Sequence, residues 1–485
     1  MKKYLILFII LTATNLFASA PDTLWTRTYG GTEGDEGWSA QQTSDSGFII
    51  TGYTNSFGAG NGDVYLIKTN SSGDTLWTRT FGGTSSDNAH SVQQTFDSGF
   101  IVAGSEGTGG VYLIKTNSSG DTLWTKTYGG NDMNWGNSVQ QTSDSGFIIT
   151  GGTFSFGVGT PNYSNVYLIR TNFLGNTIWT KTYGGPYGDC GTSVQQTADG
   201  GFIITGTTLS VYGGVYLIKT NSSGDTVWTK TFGGTSTDCG YSVQQTFDSG
   251  FVVTGTTHPF GAGGGDVYLV KTNSLGDTLW TRTFGGTSSD VGYSVRQTQD
   301  SGFIITGYTS SFGISGNIYL IKTNSSGDTV WTKTFGGTTY AFGHSVQQTA
   351  DGGFIIAGTT NSFGAGGGDV YLIRLGKETG VEEPSILDRG LANLDLKIVK
   401  DKISLSLPNN YYPNTLLTIY DLTGRPKETL YSGTLSKGDY TFTPNIHKSG
   451  VYFVRLTAVC HSDTERSEGE ESNIITETKK LILVK

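Results

Sequence analysis

A stretch of roughly fifty residues returns seven times along this chain. Its fullest form is Asp277–Thr306, DTLWTRTFGGTSSDVGYSVRQTQDSGFIIT. Each return carries a Trp in the phrase D/N-T-L/V/I-W: Trp25, Trp77, Trp124, Trp179, Trp228, Trp280 and Trp331. The spacings are 52, 47, 55, 49, 52 and 51 residues. A period of this length is that of one four-stranded propeller blade.

One repeat reads as four strands. In the fifth they are Ser242–Thr246, Phe251–Thr254, Asp266–Thr272 and Asp277–Phe284, with a Gly-rich loop Gly255–Gly265. Val, Ile, Tyr, Phe, Trp and Thr fill the runs; Gly, Asp, Asn and Ser fill the breaks. The turns TSDSGF and TNSSGD place Gly late, where a hairpin needs one residue with positive φ. The second and third strands, such as FIIT and VYLIK, are apolar on both pleat faces. That pattern requires a neighbour on each side. The Trp of the fourth strand is suited to the wider gap between blades at larger radius.

The array starts with a lone fourth strand, Thr23–Tyr29, and stops after a third strand near Leu375. The N-terminal strand can therefore complete the last blade and remove its exposed edge. The expected fold is all-β: a seven-bladed β-propeller closed by its N-terminal strand, followed by a small C-terminal β-sandwich. An open solenoid would need polar capping repeats, and none is visible.

The phrases FGGTSSD, DSGFIITG, DVYLIKTN and SGDTLW resemble the bacterial SBBP-type beta-propeller repeat family, over roughly residues 22–375. The resemblance implies the fold and leaves the function open, because propellers host unrelated activities. TNSSGDTLW also resembles the Asp-box of sialidase-type propellers, but Ser71 stands where Asp is expected and the Trp is displaced by one. The clustered Arg that a sialidase needs is missing, so that chemistry is set aside.

Flanking segments complete the organisation. Residues 1–20 carry Lys2 and Lys3, the apolar run Tyr4–Leu11 and the small residues Ala18-Ser19-Ala20. That is a secretory signal, too short in its apolar run to span a bilayer. The propeller occupies 21–375, a charged linker 376–394, and the C-terminal segment 395–485. Strand-like runs in the last part are Lys402–Leu407, Thr415–Asp421, Asp439–Thr443, Val451–Thr457 and Lys479–Val484, which suggest an Ig-like sandwich. IYDLTGR at 419–425, SGVYFVRL at 449–456 and TKKLILVK at 478–485 resemble the C-terminal sorting domain of the type IX (Por) secretion system. The positions that carry the likeness are Asp421, Gly424, Arg425, Gly450, Tyr452, Lys479 and Lys480. It implies the type IX machinery as a partner and release or display outside the cell. The polar stretch Cys460–Asn473 departs from the pattern and reads as an insertion.

Charge and Cys usage exclude other classes. The net charge is −9, without a Lys/Arg block, which argues against nucleic acid. Three Cys are too few for a disulfide framework. Cys190 and Cys239 hold equivalent places in adjacent repeats, where bridging geometry is unfavourable. No other segment is apolar enough to cross a membrane.

Candidate chemistry is sparse. Asp45, Asp97, Asp144, Asp199, Asp248, Asp300 and Asp351 precede the second strands and read as turn formers. Asp35, Asp87, Asp189, Asp238 and Asp290, with Asn134 and Ala341 in the other repeats, read as caps. A Gln series, Gln41, Gln93, Gln140, Gln195, Gln244 and Gln347, is interrupted by Arg296, which makes the expected channel locally cationic. Amides there can satisfy the free backbone edge of the innermost strands. No zinc spacing, cofactor motif or nucleophile triad is read.

The residue just before each first-strand Ser varies: Trp38, His90, Asn137, Thr192, Tyr241, Tyr293 and His344. These positions are expected as a ring at the channel mouth, on the face that also carries the variable loops, such as Gly151–Asn165 with Phe154, Phe156 and Tyr163. The preferred function is a non-enzymatic secreted or cell-surface binding propeller with a glycan or surface-protein ligand. The alternatives are an extracellular hydrolase on the same scaffold and a structural component of a surface assembly.

Overall fold

The structure, a computed structural model, describes residues 20–378 apart from 211–212 and 235–237, and 395–483 apart from 400–401, 422–425, 446–449 and 461–472. Residues 1–19 of the expected signal segment, most of the expected linker and residues 461–472 of the polar stretch lie outside the described residues. The chain divides into two compact units, Met1–Gly380 and Val381–Lys485.

The first unit is a ring of seven four-stranded antiparallel blades. Six are built from four consecutive strands, as in Cys239–Gln245, Phe251–Thr257, Asp266–Thr272 and Thr278–Phe284. The seventh takes Ala341–Gln348, Phe354–Thr360 and Asp369–Leu375 from the end of the array and Thr23–Tyr29 from its start. The register runs from Thr23 opposite Leu375 to Tyr29 opposite Val370. Ring closure by the N-terminal strand is therefore present as the unpaired repeat ends require.

The core lies between blades. Ile49, Val64 and Leu66 of one blade pack with Phe100, Val102 and Ile114 of the next. Equivalent clusters occupy each of the other interfaces. Each fourth-strand Trp meets the first Phe of the next blade's second strand edge-on, with ring centroids 5.8–6.1 Å apart. Those Phe are at most 1% exposed, and burying one stabilises by about 2–3 kcal/mol.

Two expectations are corrected. In the D-S-G turns the residue with positive φ is the Ser, not the Gly: Ser46, Ser98, Ser145, Ser249 and Ser301 lie at φ 64–70°. The following Gly is required for space, since a Cβ on Gly47 would sit 2.2 Å from the Thr69 carbonyl oxygen. The second strand also continues past Thr254 to Thr257. Gly255, expected as loop, pairs in the ladder with Gly240. Its Cβ would lie 1.8 Å from the Cys239 carbonyl oxygen, so only Gly allows that approach.

The second unit is a small all-β body. Its strands Asp395–Val399, Lys402–Asp421, Pro426–Phe442, Gly450–Cys460 and Asn473–Leu483 join in one hydrogen-bonded sheet. The expected runs Lys402–Leu407 and Thr415–Asp421 belong to one long strand, with register shifts between Leu407 and Tyr411 and between Tyr412 and Thr415. Ile403, Leu405, Leu417, Ile419, Leu435 and Val454 form its buried set.

Candidate functional site

The first strand of each blade lines the axis, and each carries one irregularity at the same place. Gly37 pairs with Gly52 and Ser39 with Thr51, leaving Trp38 as an extra residue. The same shift leaves His90, Asn137, Thr192, Tyr241, Tyr293 and His344 unpaired in the other blades. A β-bulge re-aims the side chain it carries. The seven variable residues are thus strand residues, and the bulges bring all of them together.

They form an annulus. Trp38 stacks on His344, with centroids 4.5 Å apart and planes at 15°, and leans on His90 at 4.9 Å. Tyr293 lies 5.2 Å from His344 and 5.2 Å from Tyr241. On the polar side His90 Nδ1 is 3.2 Å from Asn137 Oδ1. Asn137 Nδ2 donates to the Gly191 carbonyl at 2.8 Å, which leaves its oxygen as the acceptor for His90. Thr192 Oγ1 donates to the Gly240 carbonyl at 2.7 Å, closing the circle. All seven side chains keep intermediate exposure.

The annulus is uncharged at neutral pH. Burial, with His90 nearby, pushes His344 down to about 4. Burial also lowers His90, against hydrogen bonds to Asn137 and Gly136. Burial raises the phenols of Tyr241 and Tyr293. Neither imidazole has a carboxylate partner among the described residues. The carboxylate at the edge, Glu36, accepts from Trp38 Nε1 at 3.1 Å. Such a surface offers aromatic faces and neutral hydrogen-bonding groups.

Next to the annulus the repeated residues tie blade to blade. Each first-strand Ser accepts from the backbone N–H of the following blade, as Ser39 Oγ does from Val92 at 3.4 Å. The first Gln does the same, as Gln41 Oε1 does from Gln94 N at 2.6 Å. The second Gln accepts from the turn of the preceding blade, as Gln94 Oε1 does from Ser44 N at 2.8 Å. The amides thus serve the free strand edge that sequence reasoning assigned them. Arg296 stands in the channel wall, where Nη1 donates to the Val295 carbonyl at 2.8 Å.

The Asp before each second strand accepts from the backbone two residues on, as Asp45 does from Gly47 at 3.0 Å. Its larger role was missed in the sequence. Asp45, Asp97, Asp144, Asp199, Asp248, Asp300 and Asp351 pair with Lys68, Lys115, Arg170, Lys219, Lys271, Lys322 and Arg374 at 2.5–2.9 Å. The cations end the third strands, with side chains 1–7% exposed against 54–64% for the carboxylates. The signal was the K or R in VYLIK and VYLIR, a charge in a strand with no wet face.

The second Asp group caps loops. Asp35 accepts from Gly31 N at 2.7 Å and Ser56 Oγ at 2.7 Å. Among the described residues no three His, Cys, Asp or Glu gather as metal ligands would. Neither Cys190 nor Cys239 is in a disulfide, and burial pushes the Cys190 thiol up to about 11. In the second unit Asp421 pairs with Tyr452, Val454 with Lys479 and Phe453 with Lys480. Gly450 pairs with Leu483, while Gly424 and Arg425 lie outside the described residues.

No protein-family model matches the chain, and no curated protein matches it. Among solved structures, a fungal alcohol oxidase of the AA5 family in complex with copper is similar at 12% identity, covering 96% of this chain and 100% of that one, with a TM-score of 0.45. Sqt1 from Chaetomium thermophilum is similar at 12% identity over 80% and 96%, with a TM-score of 0.44. The BP39L lectin from Burkholderia pseudomallei is similar at 8% identity over 73% and 98%, with a TM-score of 0.43. At these values the likeness carries nothing about this chain's ligand or chemistry.

Proposed function

We propose that the chain is a non-enzymatic binding propeller, exported and presented outside the cell, with the annulus as its ligand mouth. One observation carries this reading: seven bulges aim a side chain that differs from blade to blade at one place, beside Ser, Val and Gln positions that hardly change. Stacked aromatic faces with neutral donors and acceptors suit a sugar ring or a flat peptide group. Both imidazole nitrogens of His344 lack a hydrogen-bond partner among the described residues, so a ligand hydroxyl can pair with them. The lack of a carboxylate to orient either His supports binding over acid–base work.

The test is a glycan and surface-protein binding screen with the wild-type chain and the triple variant Trp38→Ala, Tyr241→Ala, Tyr293→Ala. Equal melting temperatures are checked first. Truncating three aromatic rings of the mouth should weaken binding by roughly ten- to a thousand-fold. Binding should hold from pH 8 to about 5 and fall toward pH 4, where His344 takes up a proton. Undiminished binding by the triple variant, or no binder for the wild type, overturns the reading.

The export part rests on the C-terminal motifs and makes that unit an address for the type IX machinery. A chain ending at Leu375 should melt like the full propeller and stay in the periplasm of a type IX-secreting host. Its appearance on the surface would remove the sorting role.

A further inference from the structure

The central channel holds a positive charge that, among the described residues, no side chain in its wall neutralises. The channel is a cavity of about 220 Å3 lined by first-strand residues, mostly Ser, Val and Gln. In six blades the first Gln gives its Oε1 to the backbone N–H of the second Gln of the next blade, at 2.6–2.9 Å. An amide whose oxygen is held by an N–H has only its NH2 left to present. None of these six NH2 groups has a protein acceptor among the described residues, and all six side chains line the cavity.

The seventh position is Arg296, between Gln244 and Gln347 of the flanking blades. An Arg has no acceptor, so the link to Gln348 N is the one missing from the circle. Nη1 donates to the Val295 carbonyl at 2.8 Å and reaches Ser242 Oγ at 3.4 Å. No Asp or Glu lines the cavity, and Arg296 forms no ion pair among the described residues. Burial lowers its pKa, yet a guanidinium remains charged. A largely desolvated cation without a counter-charge is unfavourable; the Val295 carbonyl and Ser242 hydroxyl accept from it but carry no charge, and the neighbouring Gln side chains present only NH2 donors toward it.

We propose that the channel binds a small oxyanion, a carboxylate or a phosphate, held by the planar guanidinium fork of Arg296 and the amide NH2 groups of Gln244 and Gln347. Guanidinium and oxyanion match in a bidentate pair. The volume exceeds that of one water, about 30 Å3, several times over, which leaves room for such an anion with some of its hydration. Arg296, Gln244 and Gln347 retain partial exposure, so solvent reaches them. None of the annulus residues lines this cavity, which lies next to the proposed ligand mouth.

The test compares the full chain with R296Q and R296K in thermal unfolding. Sodium phosphate and sodium acetate are titrated separately, with sodium chloride holding ionic strength constant. R296Q carries the residue that the other six blades carry there, so it is compatible with the fold. Phosphate raises the stability of most proteins by exclusion from their surface, without saturating, so the difference between proteins is the readout. The wild type should show a saturable rise in melting temperature that R296Q lacks, with at least tenfold weaker binding by R296K. The arm that saturates identifies phosphate or carboxylate as the ligand group. Parallel shifts in all three proteins with both anions overturn the proposal.

Discussion

Removal of residues 21–30 should lower the stability of the propeller by about 5 kcal/mol or more, with aggregation on warming. The deleted strand supplies the whole outer edge of the seventh blade, paired from Thr23 to Tyr29 against Leu375 to Val370. It also supplies Trp25 and Tyr29 to the cluster that joins the seventh blade to the first, beside Phe48, Ile50 and Leu372. Loss of one large buried aromatic costs about 3–5 kcal/mol by itself. The strand Asp369–Leu375, which deletion would expose, is mostly apolar apart from Asp369 and Arg374 and fully buried in the closed ring, so its free edge would recruit other chains. Denaturant unfolding with light scattering reads both effects. The single variant Trp25→Ala keeps the strand and should lose about 3 kcal/mol without comparable aggregation. A truncated chain with the wild-type midpoint would mean that the ring is held elsewhere.

The architecture was legible because each of its rules recurs in the chain. Trp at a period near fifty sets the blade, and unmatched repeat ends at Thr23–Tyr29 and Leu375 set the closure. The bulge was less visible. It comes from an approach of two backbones at Gly52 and Gly37, where a Cβ on Gly52 would lie 1.8 Å from the Glu36 carbonyl oxygen. Read as composition, those Gly mark loops, which is why the second strand reads as stopping at Thr254 rather than Thr257. The annulus residues were found by their variability beside a constant Ser. Their mutual packing, Trp38 on His344 above all, depends on ring geometry that spacing does not carry. The buried cations were missed because Lys at a strand end normally reaches water. Here Lys68 Nζ turns back to the Thr69 carbonyl at 2.8 Å and to Asp45.

That pairing leads to the second large effect, loss of about 3 kcal/mol in Asp300→Ala. Lys322 is the most buried of the seven cations, with its side chain 1% exposed, and its Nζ lies 2.7 Å from Asp300 Oδ2. The carbonyl of Thr323 at 2.9 Å is its other partner and carries no charge. Removing the carboxylate therefore leaves an ammonium in an apolar interface. Breaking a buried pair on one side costs about 3–5 kcal/mol, and the lower end applies because the Asp300 side chain is 54% exposed and water already screens the pair. Lys322→Met removes the charge and keeps most of the volume, so it should cost less, and the double variant should recover most of the loss. Denaturant midpoints of the four proteins give the coupling directly. Acid supplies the same test from another side. Burial would raise these carboxylates, but at Asp45 and Asp199 the Lys, the Thr hydroxyl and the Gly N–H outweigh it and hold each at about 2. A carboxylate depressed in the folded state stabilises above its ordinary range near 4 and loses that contribution as pH falls through about 2. The other five carboxylates are lowered too, so all seven pairs should weaken as pH falls below the ordinary carboxylate range, and Asp300→Ala should show a shallower fall there than wild type. Equal midpoints for Asp300→Ala and wild type at pH 7 would place the charge of Lys322 in water rather than in the blade interface.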